Sequence, residues 1–280
     1  MAARRKPLAE PYAANRRHWD AVTPVHVLSE MYNVDRFLAG RNTLPRFMLD
    51  EIGDVTGKTL LHLQCHFGMD TLSFARLGAD VTGVDFSGAA VKEARRLAKE
   101  TGLKAEFIEA DVLNPGDRVP EAAFDIVFTS HGVLCWLGDL TRWGRTVARS
   151  LKPGGVFHIF EFHPLPSSLS QAVPVSKAAG LRFDYSYFNP GKPDAEPAGT
   201  DYADPSFKSD AVNYQWGHSI GEIFGALTSA GLAVTSLKEY PYSTFCSHEG
   251  LVKGKDGYWR MPPGIPPLPL ELYMQARKPG

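Results

Sequence analysis

The stretch LLHLQCHFG at residues 60–68 decides the fold of this chain. It begins as a short apolar run of strand length and ends at Gly68, after which MDTLSFARLGA places apolar residues at helical spacing. A strand, a glycine-containing loop and a helix in this order are typical of a nucleotide-binding α/β unit. Two positions where glycine is usual carry Gln64 and His66 instead. The loop is therefore an unusual ligand loop, a degenerate one, or a buried strand that ends in glycine.

The alternation of strand and helix continues as far as residue 162. Further strands are predicted at 80–87, 104–112, 123–130 and 156–162, with helices at 88–102 and 140–151. Regular alternation predicts a doubly wound parallel α/β sheet with right-handed crossovers. Ligands bind beyond the carboxyl ends of the strands in such sheets, so the residues that end each strand are the candidates for function.

The flanking regions have other patterns. Residues 1–55 are predicted to form an N-terminal helical cap, and 56–280 the α/β domain. After residue 162 the rhythm stops, and 163–217 is interpreted as an aromatic insertion. Apolar alternation at 181–187 and 212–216, with the turn sequence NPGK at 189–192, predicts an antiparallel pair there. A helix at 218–232 and strands at 233–240 and 267–279 complete the domain.

Composition and charge exclude several classes of protein. The formal net charge is −1, so the chain has no basic footprint for nucleic acid or an acidic membrane. The chain also lacks a secretory signal pattern and the roughly 20 apolar residues of a membrane span. Three widely spaced cysteines indicate reduced thiols, hence a cytoplasmic protein. We expect a small-molecule substrate and a monomer or homodimer.

Two histidines near the loop raise the question of a metal. His62 and His66 are four residues apart on a strand and the loop after it. Extended backbone separates such positions by roughly 13 Å, which exceeds the reach of one ion. We therefore expect no metal site.

Acidic residues follow the second and third strands. Asp85 ends the second strand about 20 residues after the loop, where a carboxylate binds the two hydroxyls of a ribose in doubly wound folds. The alternative is a cap for the next helix. Asp111 follows the third strand, where it would pair with an adenine amino group or cap a loop.

The whole succession LLHLQCHFG, VTGVDFS, FIEADVL, FDIVFTSHGVL and LKPGGVFHIFEFHP resembles the motif series of class I S-adenosylmethionine-dependent methyltransferases, over about residues 57–163. It is most similar to a bacterial subgroup with an HLQCHFG-type first motif. The resemblance implies a Rossmann-like seven-stranded sheet of order 3-2-1-4-5-7-6 with an antiparallel last strand. It also implies S-adenosylmethionine as cofactor and S-adenosylhomocysteine as product.

Position by position, the resemblance implies a set of cofactor-binding residues. Asp85 would hold the ribose, Phe86 would lie along the adenine, and Ser130 would face the methionine end. The position of an acidic residue that is usual on the first strand is taken by His62. Hydrogen bonds from Gln64 and His66 can replace lost contacts. The full cofactor set is His62, Gln64, His66, Gly68, Asp85, Phe86, Asp111, Val112 and Ser130.

The reaction implied is methyl transfer by in-line displacement in a covered, water-poor pocket. A general base is needed only for an acceptor that is protonated at neutral pH. The catalytic candidates are His131, His163 and His218, with Glu161 beside them. Aromatic residues indicate a pocket for a planar or cationic molecule, although each can equally be packing; the substrate candidates are Tyr12, Trp19, Trp136, Tyr187 and Trp216.

Other functions remain open at this point. The altered first motif allows another use of the cofactor, such as cyclisation or aminopropyl transfer. A non-catalytic module that binds S-adenosylmethionine would have the same fold. A nicotinamide dehydrogenase fits least, because two fingerprint glycines are missing from residues 60–68.

Overall fold

A computed structural model of the protein describes residues 9–170, 174–197, 199–209 and 211–280. The helices are α1 (Ala9–Leu28), α2 (Val34–Leu38), α3 (Arg46–Ile52), α4 (Met69–Arg76), α5 (Gly88–Thr101), α6 (Leu140–Ser150), α7 (Pro164–Ser167) and α8 (Ile220–Ser229). The strands are β1 (Thr59–Leu63), β2 (Asp80–Asp85), β3 (Ala105–Glu109), β4 (Phe124–Ser130), β5 (Leu151–Phe162), β6 (Asp194–Glu196), β7 (Asn213–Gln215), β8 (Ala233–Tyr240), β9 (Val252–Lys253), β10 (Trp259–Arg260) and β11 (Glu271–Arg277). Among these helices, none has the length and apolar character that crossing a membrane requires.

Seven strands form the central sheet, in the order β3-β2-β1-β4-β5-β11-β8. Strands β1 to β5 pair in parallel, and β11 lies antiparallel between β5 and β8. This arrangement confirms the predicted order 3-2-1-4-5-7-6 with an antiparallel last strand. The carboxyl ends of β1, β2 and β4 therefore meet at one edge of the sheet.

Alternation along the strands builds a core on each face of the sheet. In β1, Leu61 and Leu63 pack into a cluster with Trp143 of α6, whereas Leu60 packs on the other face with Met48 of α3. Helices α6 and α8 approach closely, since a Cβ on Gly144 would lie 2.5 Å from the carbonyl oxygen of Ala226. The two buried faces hold β1 rigidly, and with it the loop that follows.

Of the two strands predicted for the insertion, the second is confirmed and the first is wrong. Strand β7 lies within the predicted 212–216, but its antiparallel partner is β6, not residues 181–187. The alternating apolar residues there include Phe183, which is 60% exposed and forms only an isolated bridge with Leu169. Alternation indicates a strand only where one face is buried, and this segment has no buried face.

Candidate functional site

A cavity of about 450 Å³ opens at the carboxyl ends of β1, β2 and β4. Its floor is the loop after β1, and its walls come from the N-terminal helices, the end of β4, the insertion and residues 244–245. Ten of the residues predicted for the site line it: Trp19, His62, Gln64, His66, Gly68, Asp85, Phe86, Ser130, His131 and Trp136. The cavity is thus at the edge of the sheet where doubly wound folds bind their ligands.

The loop after β1 has the backbone of a glycine loop without all of its glycines. Gln64 and His66 have φ angles of 57° and 51°, and Gly68 has 81°. The left-handed region costs a residue with a Cβ about 1–2 kcal/mol. Gln64 and His66 adopt this left-handed backbone conformation although glycine would adopt it at lower cost, which indicates a functional role for their side chains in the cavity.

Gln64 connects the two loops that form the cavity floor. Its Nε2 donates to the carbonyl oxygen of Val133, just beyond β4, at 2.8 Å. Its Oε1 is buried and has no hydrogen-bond partner among the described residues. A buried acceptor without a donor costs about 1–3 kcal/mol, and a ligand that offers an N–H or O–H group would recover this.

His62 places a neutral group where the resembled family has an acid. Its Nδ1 lies 2.9 Å from the hydroxyl of Thr71, and burial lowers its pKa to about 3. The imidazole therefore stays uncharged at neutral pH.

Gly68 is needed for a reason that the sequence did not suggest. A Cβ at this position would lie 2.7 Å from the ring of Phe107 and 2.9 Å from the Cβ of Ala94. The close approach that requires glycine is thus to β3 and α5.

Asp85 joins β2 to the loop. Its carboxylate accepts the backbone N–H of His66 at 2.8 Å and that of Ser87 at 2.9 Å. Burial raises the pKa of Asp85 to about 6, although these hydrogen bonds oppose the shift. Ser87, not Asp85, caps α5 by accepting the N–H of Ala90, so the carboxylate is not the helix cap.

The end of β4 carries a histidine paired with a carboxylate. Nε2 of His131 lies 2.5 Å from Oε2 of Glu271 in β11. Burial disfavours the charged form of His131, but the negative charge and the hydrogen bond of Glu271 outweigh it and raise its pKa. The other oxygen of Glu271 accepts from the backbone and hydroxyl of Thr244, at 2.8 and 2.9 Å. The imidazole is thereby fixed by two elements far from it in sequence.

Glu161 supports the loop after β4. Its carboxylate accepts backbone N–H groups from Gly132, from Val133 at 3.0 Å and from Leu134 at 3.1 Å. These bonds occupy the acceptor oxygens. Glu161 therefore shapes the segment that presents His131.

Trp19 and Trp136 form an aromatic wall of the cavity. Their ring centroids are 5.2 Å apart at 82°, and the ring of His66 is 5.2 Å from Trp19. Tyr12 and Trp216 instead stack on each other at 5.3 Å outside the cavity lining, and the Tyr12 hydroxyl accepts the N–H of Gly138.

Other predicted residues also lie outside the lining. Asp111 is exposed and accepts the N–H of Leu113 at 2.8 Å. His163 accepts the N–H of Leu165 and pairs with Glu239 at 2.7 Å, so both of its nitrogens have partners. His218 donates to the carbonyl oxygen of Leu137 at 2.7 Å. The remaining members of this group are Val112 and Tyr187.

Several residues at the site were not predicted from the sequence. Asp70 lines the cavity, and Thr43 donates to it at 2.5 Å. Tyr202 brings the insertion to the cavity. Glu271 offered a signal, because it is the one charged residue in the stretch LELYMQA, and its exposure is 0%. In the part of the chain that the structure describes, no His, Cys, Asp and Glu residues form a group able to hold a metal.

Comparison with known proteins shows similarity at the level of a domain and of the fold. Residues 61–157 match the family model described as a methyltransferase domain. The chain has the fold of a solved S-adenosylmethionine-dependent methyltransferase from Mesorhizobium loti, with a TM-score of 0.56 and 20% identity over 86% of this chain and 100% of that one. It has a similar TM-score of 0.56, at 16% identity, with the 1,6-didemethyltoxoflavin-N1-methyltransferase of Burkholderia thailandensis, over 100% of this chain and 94% of that one.

Residues 61–157 therefore resemble a methyltransferase domain, and the chain has the fold of solved S-adenosylmethionine-dependent methyltransferases, in line with the resemblance of the sequence motifs. The ubiquinone biosynthesis O-methyltransferase of Photorhabdus laumondii is 34% identical over 114 residues, which are 41% of this chain and 46% of that protein. The chain thus spans about half the length of the curated relatives that it matches.

Proposed function

We propose that the protein transfers the methyl group of S-adenosylmethionine to a small-molecule acceptor in the cavity described above. The observation that carries the proposal is the convergence of three strand ends on this cavity. The loop after β1, Asp85 and His131 all lie within the matched residues 61–157, and all line the cavity. Asp85 is then the carboxylate for the ribose hydroxyls, with Phe86 beside the adenine.

The residues present fit this cofactor. Its ammonium and hydroxyl groups are hydrogen-bond donors, and the cavity presents acceptors: the unpartnered Oε1 of Gln64 and the carboxylates of Asp70 and Asp85. When bound, the cofactor supplies a methyl group on a positively charged sulfur, which is already activated for transfer. The protein contributes alignment and exclusion of water.

His131 is the base in this proposal. Glu271 accepts a hydrogen bond at Nε2, so Nδ1 is the nitrogen that takes a proton from the acceptor. A hydroxyl acceptor needs such a base, because it is protonated at neutral pH. The O-methyltransferase of Photorhabdus laumondii supports a hydroxyl by its name. Trp19, Trp136 and Phe245 line the cavity and favour a planar acceptor.

The regions outside the matched segment complete the cavity as a cover. The proposed cap (residues 1–55) contributes Trp19 and Tyr32, and the proposed insertion (163–217) contributes Tyr202. The hydroxyls of Tyr32 and Tyr202 are 2.6 Å apart, so cap and insertion are joined over the cavity. A cytoplasmic location is also proposed, since all three cysteines are free thiols. A monomer or homodimer stays a prediction.

Titration calorimetry with S-adenosylmethionine and S-adenosylhomocysteine tests the cofactor. We expect both to bind, and binding of neither would refute the proposal. Incubation with a cell extract and methyl-labelled cofactor should then label a small molecule. Release of methylthioadenosine without labelling would indicate aminopropyl transfer or cyclisation instead, and binding without turnover would indicate a non-catalytic module.

A further inference from the structure

A buried chain of three side chains connects the insertion to the loop after β1. Both carboxylate oxygens of Asp201 lie near Nε2 of His26, at 3.0 and 3.1 Å. Nδ1 of His26 lies 3.3 Å from Nε2 of His66. The side chains of His26 and Asp201 are 0% and 3% exposed. The chain therefore joins the insertion, α1 and the cavity floor, with little access for water.

The carboxylate of Asp201 determines the direction of the hydrogen bonds in this chain of side chains. An ionised carboxylate only accepts, so His26 carries a proton on Nε2. A neutral His26 then has a bare Nδ1, which accepts from Nε2–H of His66. A neutral His66 with its proton on Nε2 has a bare Nδ1 in turn. Burial lowers the pKa of His66 well below its ordinary value, which keeps its ring neutral.

The free nitrogen of His66 is thus an acceptor at the cavity. Among the described residues, Nδ1 of His66 has no hydrogen-bond partner, and His66 lines the cavity. The backbone N–H of the same residue binds the carboxylate of Asp85. His66 and Asp85 line the same cavity, so a cofactor whose ribose lies on Asp85 is close to the ring of His66.

We propose that Asp201 and His26 are positioning residues that fix the tautomer of His66, so that its Nδ1 accepts a hydrogen bond from the bound cofactor. The inference rests on the proposed function, because it takes S-adenosylmethionine as the ligand. It gives the insertion a role in cofactor binding, although Asp201 itself does not line the cavity.

The tautomer is measured directly in the protein without ligand. Histidine labelled with the heavy nitrogen isotope gives separate NMR signals for protonated and bare ring nitrogens, and His66→Gly identifies the signals of His66 by their loss. Wild-type His66 should show a protonated Nε2 and a bare Nδ1. In Asp201→Asn, the amide can donate as well as accept, so the fixed direction is lost and the His66 signals should shift toward a mixture.

Calorimetry with S-adenosylhomocysteine measures the consequence. Asp201→Asn and His66→Gly should each bind about three- to tenfold more weakly, which is the size expected for one hydrogen bond. Glycine suits the φ angle of 51° at residue 66, so this second variant keeps the loop. The matched control is Asp204→Asn in the same insertion, since the side chain of Asp204 accepts from the backbone and hydroxyl of the neighbouring Ser206.

The outcomes separate this inference from the proposed function. Unchanged His66 signals in Asp201→Asn, or an affinity equal to that of wild type, would overturn the positioning role while leaving methyl transfer in place. An equal loss in Asp204→Asn would also overturn it, because the effect would then come from the insertion in general. A wild type that binds no S-adenosylhomocysteine would refute both, and a shifted signal with weakened binding supports both.

Discussion

Gln64 holds a left-handed backbone in the middle of the loop, so replacing it with glycine should stabilise the fold while it weakens the site. A residue with a Cβ pays about 1–2 kcal/mol at a φ of 57°. Glycine also raises the conformational entropy of the unfolded chain, which lowers the free energy of unfolding by about 0.4–1 kcal/mol. Glycine should therefore be more stable than alanine at residue 64 by about 1 kcal/mol.

The glutamine side chain itself contributes little net stability. Its hydrogen bond to Val133 is worth about 1 kcal/mol, and its buried, unpartnered Oε1 costs about 1–3 kcal/mol. Gln64→Ala should consequently stay within about 1 kcal/mol of wild type. Gln64→Gly should then exceed wild type by about 1 kcal/mol.

Urea unfolding followed by tryptophan fluorescence measures these differences, with the midpoint rising in the glycine variant at constant slope. Both variants should bind S-adenosylhomocysteine more weakly, because both lose the Oε1 acceptor. An alanine variant as stable as the glycine variant would show that the left-handed backbone carries no cost. Unchanged affinity in both would refute the contact between Gln64 and the cofactor.

Three further predictions test other parts of the structure. Affinity for S-adenosylhomocysteine should fall as pH drops through about 6, because Asp85 becomes protonated there and can no longer accept from both ribose hydroxyls. Calorimetry across this pH range measures the loss, and Asp85→Asn should bind weakly at every pH. Methyl transfer should decline as pH drops through the pKa of His131, which lies above 6.5. Glu271→Gln should shift the acid limb of the pH profile of kcat/KM to lower pH. An acid limb that does not shift would exclude His131 as the base. Gly144→Ala should lower the free energy of unfolding by about 1–3 kcal/mol, because the new Cβ clashes with α8. The control Gly225→Ala should not destabilise the protein, since nothing lies within 4 Å of its Cβ. Equal denaturation midpoints for the two variants would contradict the close packing of α6 on α8.

The strand order could be predicted because each strand and helix carries its own local pattern. The short apolar strands β2 and β4 and the helical spacing of α5 are visible within a few residues. The carboxyl ends of parallel strands meet at one edge, so the placement of His62, Asp85 and Ser130 at a common cavity follows from topology.

The same reasoning failed where side chains satisfy local needs. His163 and His218 follow a strand and precede a helix, as site residues often do, but their ring nitrogens bind nearby backbone and Glu239. In the insertion, Phe183 continues an alternating pattern that no partner strand uses. A pattern of residue types does not show whether a polar side-chain atom is hydrogen-bonded to a nearby residue.

No local pattern indicated which residues of the site would pair at long range. Asp201 meets His26 across 175 positions, and Glu271 meets His131 across 140. Pairs of this kind depend on how the insertion and the last strand return to the sheet, which no periodicity encodes. The left-handed φ angles of Gln64 and His66 were likewise unexpected, since the residue types argue against them.

The cavity is lined and supported by residues from inside and outside the segment that matches the methyltransferase family model. The matched segment ends at residue 157, whereas Asp201, Phe245 and Glu271 all come later. Under the proposed function, substitutions at these later positions change the surroundings of the cavity while the matched segment stays the same, so two proteins alike in that segment can differ in the acceptor that they bind. A chimera that keeps residues 61–157 and exchanges the later walls would be the natural route to a new acceptor.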